Sequence, residues 1–167
     1  MTSLAVRNFM KQQGFAEEPE PLCEMHFAGL YFQPRIVGAL VLVAIIFQSP
    51  VLFFILSALL WWNVLFPEWN PFELIYNRVI AAPRERPALT PAPLPRRFAQ
   101  GMAASFMLFA GIALVGAWTA VAWIFEAFLV IAFAALLFGK FCLGAYVYHV
   151  LRGQKALANA TLPWTRG

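Results

Sequence analysis

Residues 36–66 and 98–139 hold between them a single ionisable side chain, Glu126. Such blocks need lipid as their solvent. An ordinary soluble domain carries roughly a quarter charged residues, whereas here 62% of the 167 residues are hydrophobic and 12% are charged. A secretion signal places a basic stretch directly before an apolar run. The N-terminal segment instead carries Glu17, Glu18, Glu20 and Glu24 without such a run, so it is expected to be retained.

A helix through residues 36–66 would be roughly 46 Å long at 1.5 Å per residue, against a hydrocarbon core of about 30 Å. Gln48-Ser49-Pro50 falls at its middle, where proline removes a backbone donor and restrains the preceding residue. A tight reversal between two short helices follows. In the second block Val115-Gly116-Ala117-Trp118-Thr119 turns the chain between helices over 98–114 and 120–138. The expected fold is therefore all-α, an integral membrane protein with four transmembrane helices in two hairpins, 36–66 and 98–151. Arms of about 15 residues in the first hairpin fall short of the usual ~17–25. That pair thins the bilayer, borrows flanking residues or enters without fully crossing.

Charge placement agrees with four spans. Arg7, Lys11 and Arg35 precede the first block; Arg78, Arg84, Arg86, Arg96 and Arg97 lie between the blocks; Lys140, Arg152, Lys155 and Arg166 follow the second. Four spans place all twelve on one side, whereas two long spans would strand the five loop arginines opposite, against the retention of basic residues in the cytoplasm. The segment 1–35, the loop 67–97 and the tail 152–167 are thus expected in the cytoplasm. Trp61, Trp62 and Trp69 at one interface and Trp118 and Trp123 at the other fit aromatic belts. Gly101 and Ser105 have the spacing that lets helices approach closely.

Outside the spans, residues 2–15 read as a short helix capped by Thr2 or Ser3, with Val6, Phe9 and Met10 on one side, Arg7 and Lys11 towards water, and Leu4 misplaced on the polar side. Asn70-Pro71 marks another helix start, with Phe72, Ile75, Tyr76 and Val79 at helical spacing along an interfacial helix. Pro83, Pro87, Pro91, Pro93 and Pro95 make residues 83–95 an extended connector. No phosphate loop or nucleic-acid reader is present, and a pI near 9.4 follows from topology.

Few residues carry chemistry. Glu126 is costly within a span unless protonated, paired or hydrated. It is either a proton or cation site, or a carboxyl hydrogen-bonded to a neighbouring helix or snorkelling to the nearby interface. Cys23 and Cys142 both fall on or near the cytoplasmic side, which disfavours a structural disulfide. His26 lies three residues after Cys23, and His149 seven after Cys142, on about the same helical face if that helix continues. Metal or haem binding by these is a weak possibility beside ordinary buried thiols and interfacial histidines, and no cofactor is required.

The stretch Pro95-Arg96-Arg97-Phe98-Ala99-Gln100-Gly101, together with Leu74-Ile75-Tyr76-Asn77-Arg78 and Phe141-Cys142-Leu143-Gly144-Ala145 followed by Tyr148, resembles the bacterial family catalogued as domain of unknown function 4395, small four-span membrane proteins. The resemblance runs from about Gln33 to Leu151 and rests on Arg97, Phe98, Ala99, Gln100 and Gly101 above all. Members often carry Cys-x-x-Cys at the last motif, and some are encoded with thioredoxin-like or rhodanese-like partners, which implies thiol or sulfur chemistry. Here Ala145 stands where the second cysteine would be, so a dithiol cycle within the motif is impossible. Cys23 could substitute only within disulfide reach of Cys142, about 4.4 to 6.8 Å between Cα atoms.

Three functions follow as expectations. The first is a non-catalytic accessory or scaffold subunit of a larger membrane complex, with lipid and other membrane subunits as partners and no nucleic acid. The second is a thiol- or sulfur-handling membrane redox protein using Cys142, alone or with Cys23, its thiol accessible and its pKa depressed with help from Lys140. The third is a small transporter or proton-conducting element using Glu126.

Overall fold

The computed structural model describes residues 3–15, 26–163 and 165, and every described element is helical. Helix α1 is Leu4–Gln13, capped by the Ser3 hydroxyl, which accepts from the Val6 N–H at 3.4 Å. Its apolar side is the expected one, with Val6, Phe9 and Met10 buried and Leu4 exposed, but Gln12 and Gln13 are buried too. Gly14 closes it in the left-handed conformation, which a residue without Cβ adopts freely.

Helix α2, Phe32–Ile46, continues a helical turn from His26, giving a run of 21 residues, His26–Ile46. Pro34 cannot donate to the carbonyl four residues back, and the run is interrupted by a single turn residue at Tyr31. This lengthens the first arm beyond the 15 or so residues expected from sequence, because His26–Arg35 extend the apolar run. After a turn at Phe47–Gln48, helix α3, Pro50–Leu65, starts at Ser49, whose hydroxyl accepts from Leu52, and at Pro50, whose missing N–H costs nothing in a first turn. With 16 residues α3 spans roughly 24 Å and stays short.

A turn at Pro67–Trp69 leads to α4, Pro71–Ile75, capped by the Asn70 side chain, which accepts from Phe72 at 3.0 Å. The helix then widens into a π turn, Tyr76–Ala81, and ends in a 3-10 turn, Ala82–Arg84. Phe72 and Tyr76 are buried, but Ile75 and Val79 point outward, so the expected four-residue stripe is halved. The connector runs without regular structure from Arg86 to Pro93, pinned where Asn77 and Leu89 exchange two hydrogen bonds.

Helix α5, Leu94–Val115, begins four residues before the expected Phe98 because Pro95 belongs to its first turn rather than to the connector. A turn through Gly116–Ala117 leads to α6, Thr119–Leu137. There the helix breaks: Lys140 takes a positive φ, and Leu143–Leu151 forms a separate helix, α7, followed by α8, Lys155–Ala160. The second hairpin expected over 98–151 therefore ends at the break, and α7 packs back on α5.

Helices α2, α3, α5 and α6 close a ring of contacts, with α5 packed on α3, α6 and α7. Their core joins Val37, Val41, Phe53, Leu56, Ala104, Met107, Ala110 and Leu129. At Gly111 a Cβ would lie 2.7 Å from the Phe54 ring, so glycine permits the close α3–α5 crossing. The Ser57 hydroxyl donates to the Ala104 carbonyl at 2.8 Å in the same crossing. One end of the ring carries the two tight turns. The other carries α1, the 67–93 connection, α7 and α8, and a second core of Val6, Phe9, Met10, Leu30, Tyr31 and Tyr76.

The outside of the ring is apolar. Ile46, Phe47, Val51, Ile55, Ile131 and Phe138 are more than half exposed, a surface stable only against lipid or protein. Three helices, His26–Ile46, Leu94–Val115 and Thr119–Leu137, are long and apolar enough to cross a membrane. This is a membrane protein. Phe53 is fully buried and Phe47 is 74% exposed. Phe53→Ala should cost about 3–5 kcal/mol and Phe47→Ala little, measured by thermal unfolding in detergent; equal losses would contradict the packing.

Candidate functional site

Burying a guanidinium is expensive unless it is paired and hydrogen-bonded, and α5 buries one in its first turn. Arg96 is 5% exposed. Its Nη2 donates to Gln33 Oε1 on α2 at 3.2 Å and lies 3.8 Å from Glu73 Oε1 on α4. One turn along α5, Gln100 Nε2 donates to the same Gln33 oxygen at 3.0 Å. Glu73 stands beside the Asn70 cap; burial pushes its carboxyl up, while Arg96 and Asn70 pull it down less strongly. Three chain-distant elements thus meet on one cation.

Cys142 joins this cluster as the N-cap of α7. Its N–H donates to Gln12 Oε1 on α1 at 2.8 Å. Its thiol faces the N–H groups of Ala145 and Gly144 and the Gln13 carboxamide, with the Arg96 charge in range. Gln13 Nε2 nevertheless completes no well-formed hydrogen bond, and neither do Gln12 Nε2 and Gln100 Oε1, all buried. A cavity of about 100 Å³ lies between these groups, with Gln13, Gln33, Arg96, Gln100 and Cys142 at its polar end and α2, α3, α5 and α6 side chains such as Val37, Leu60, Phe106 and Leu129 as apolar walls.

Two of the three segments that carry the sequence resemblance, Pro95–Gly101 and Phe141–Tyr148, pack on each other here. A Cβ on Gly144 would lie 2.6 Å from Ala99 Cα, so only glycine lets α7 seat its N-terminus on α5. Arg97 turns the other way and caps α3, donating from Nε and Nη2 to the Val64 carbonyl at 3.0 and 2.7 Å. Phe98 meets Tyr148 with ring centroids 5.7 Å apart. Gly101 leaves room for Trp61 and Val64.

The remaining candidates separate. Glu126 is 4% exposed and near the tight-turn end, where Gln48 Nε2 lies 3.1 Å from both carboxylate oxygens while also donating to the Ile45 carbonyl. His149 Nε2 meets the Gln12 carbonyl at 3.0 Å and Nδ1 meets the Gln154 side chain at 2.7 Å, so both ring nitrogens are engaged in holding α1 and the α7 C-terminus. His26 is buried at the start of the α2 run. Cys23 lies outside the described residues, and the Cys142 thiol is free. Among the described residues no group of three His, Cys, Asp or Glu side chains is placed to hold a metal.

Burial reverses one expectation. Cys142 is 8% exposed, and burial pushes its thiol up against the weaker pull of Ala145, Gln13, Gly144 and Arg96. Lys140 does not contribute; its ammonium sits 5.6 Å from the Phe27 ring centroid. Sequence reasoning missed Arg96 as a buried cation and Gln12, Gln13, Gln33 and Glu73 as its company. Polar residues inside otherwise apolar helical faces were the available signal.

Because the thiolate is the nucleophile, a raised pKa moves reactivity to higher pH. In folded protein, iodoacetamide labelling of Cys142 should begin well above the ordinary thiol midpoint of about 8.5 and return to it in denaturant. The same sign makes the thiol's contribution to stability complete below that midpoint and lost as pH rises through the folded value. Peptide mapping of labelling rate against pH checks this, and identical profiles in folded and unfolded protein would contradict it.

No curated protein and no solved structure is significantly similar to the chain. Residues 28–152 match the family described as Domain of unknown function (DUF4395). That match takes in both packed motif segments and the whole helical ring, and the chain belongs to this family.

Proposed function

We propose that the chain is a four-span protein of a bacterial inner membrane, two hairpins with both termini and the central loop in the cytoplasm, that handles sulfur through the single thiol of Cys142. One observation carries the reading: Cys142 opens on a cavity shared with the buried Arg96 and with amide groups that have hydrogen bonds to spare. The four-span count is supported by the one-sided distribution of Lys and Arg. A resting thiol kept neutral by burial is inert to bulk oxidants, and a small substrate entering the cavity would find a cation and N–H groups ready for a developing sulfur anion. With Ala145 at the third position after Cys142, the chemistry is one covalent adduct at a time rather than a disulfide cycle within the motif.

A second reading, the non-catalytic accessory subunit, is favoured by α6. Only 17% of its most apolar stretch is buried, leaving a face that a partner helix would cover as well as lipid does. Stoichiometric co-purification with a larger complex in mild detergent would support it. Glu126 fits the fixing of the Gln48 turn better than ion movement, since its carboxylate is already engaged there.

The thiol reading is tested by size-selective modification in native membranes. Methyl methanethiosulfonate should modify Cys142 to completion, while a polymer-linked maleimide should leave it untouched until the protein is unfolded. A Cys142 that refuses the small reagent in folded protein would remove the proposal.

A further inference from the structure

We propose that Cys142 is a persulfide carrier: it accepts one sulfane sulfur atom from a low-molecular-weight persulfide and holds the resulting anion in the cavity. This rests on the thiol reading above and names its substrate class. The transfer balances without an outside oxidant or reductant. The Cys142 sulfur attacks the outer sulfur of the donor R–S–SH, the donor S–S bond breaks as the new one forms, and the thiol proton leaves with R–SH. The products are Cys142–S–SH and R–SH, and the migrating sulfur keeps its oxidation level.

Three features favour this over other single-thiol chemistries. The cavity of about 100 Å³ has room for one added sulfur and a compact donor, a water occupying about 30 Å³ in the liquid. A persulfide is a stronger acid than its thiol, so sulfur addition creates an anion where the neutral thiol stood. That anion meets one donor the empty site leaves idle, Gln13 Nε2, 3% exposed in its residue and without a completed hydrogen bond, and lies beside the Gly144 and Ala145 N–H groups at the start of α7 and the Arg96 charge. Metal thiolate chemistry would want further ligands, and the described residues gather none.

The test uses the full chain in detergent, treated with cysteine persulfide, desalted, then unfolded and alkylated at intervals for peptide mass mapping. The Cys142 peptide should carry the mass of one extra sulfur, removable by dithiothreitol, and should keep it about tenfold longer in folded protein than in denaturant, as expected for one charge-assisted hydrogen bond. Gln13→Leu should shorten that lifetime without lowering the thermal midpoint, and Arg96→Lys, if it folds, should shorten it too. Loss of the extra sulfur at equal rates in folded and unfolded protein, or an unchanged lifetime in Gln13→Leu, would overturn the proposal. If methyl methanethiosulfonate modifies Cys142 but the persulfide leaves no sulfur, the carrier role falls while the thiol reading stands; if neither reagent reacts, both fall.

Discussion

A single buried cation organises one whole end of this molecule. Arg96 enters the bundle in the first turn of α5, where it is 5% exposed, and it is held by Gln33 from α2 and Glu73 from α4. Removing one partner of such a buried pair typically costs about 3–5 kcal/mol, so α2, α4 and α5 cannot shift independently at this end. The α4 segment, too short to be stable alone, is fixed by that pair and by its Asn70 cap. The α1 helix then closes the end through Phe9, Met10 and the two glutamines.

The motif that carries family membership acquires a physical meaning in this arrangement. Arg96 and Gln100 face the cavity, Arg97 caps α3, Phe98 packs on Tyr148, and Ala99 receives Gly144. Successive residues of one helix point to different neighbours about 100° apart, so a contiguous run specifies contacts on several sides of α5 at once. The Cys142 segment is the complementary surface. A motif whose residues merely filled core would not need a buried arginine, a glutamine and a glycine in that order.

Much of the helix plan was legible because it follows from local chemistry. Ser49-Pro50 and Gly116 announce turns, Ser3 and Asn70 announce caps, and the periodicity of Val6, Phe9 and Met10 gives the inner face of α1. What was hidden depends on contacts between distant segments. Gln12 reads as a polar surface residue until Cys142 is brought to it across 130 positions. Arg96 reads as one of several loop charges until α5 is seen to begin at Leu94. The direction of the Cys142 shift could not be inferred either, since a neighbouring lysine argues for a lowered pKa and only the fold reveals that burial dominates.

The account stands on α1 lying over the Cys142 thiol, and disulfide trapping reads that directly. In native membranes, with Cys23 replaced by serine, Gln13→Cys should cross-link to Cys142 rapidly under mild oxidation, while Arg7→Cys, on the exposed side of α1, should not. Equal cross-linking at the two positions, or none at Gln13, would contradict the α1 placement on which the sulfur chemistry depends.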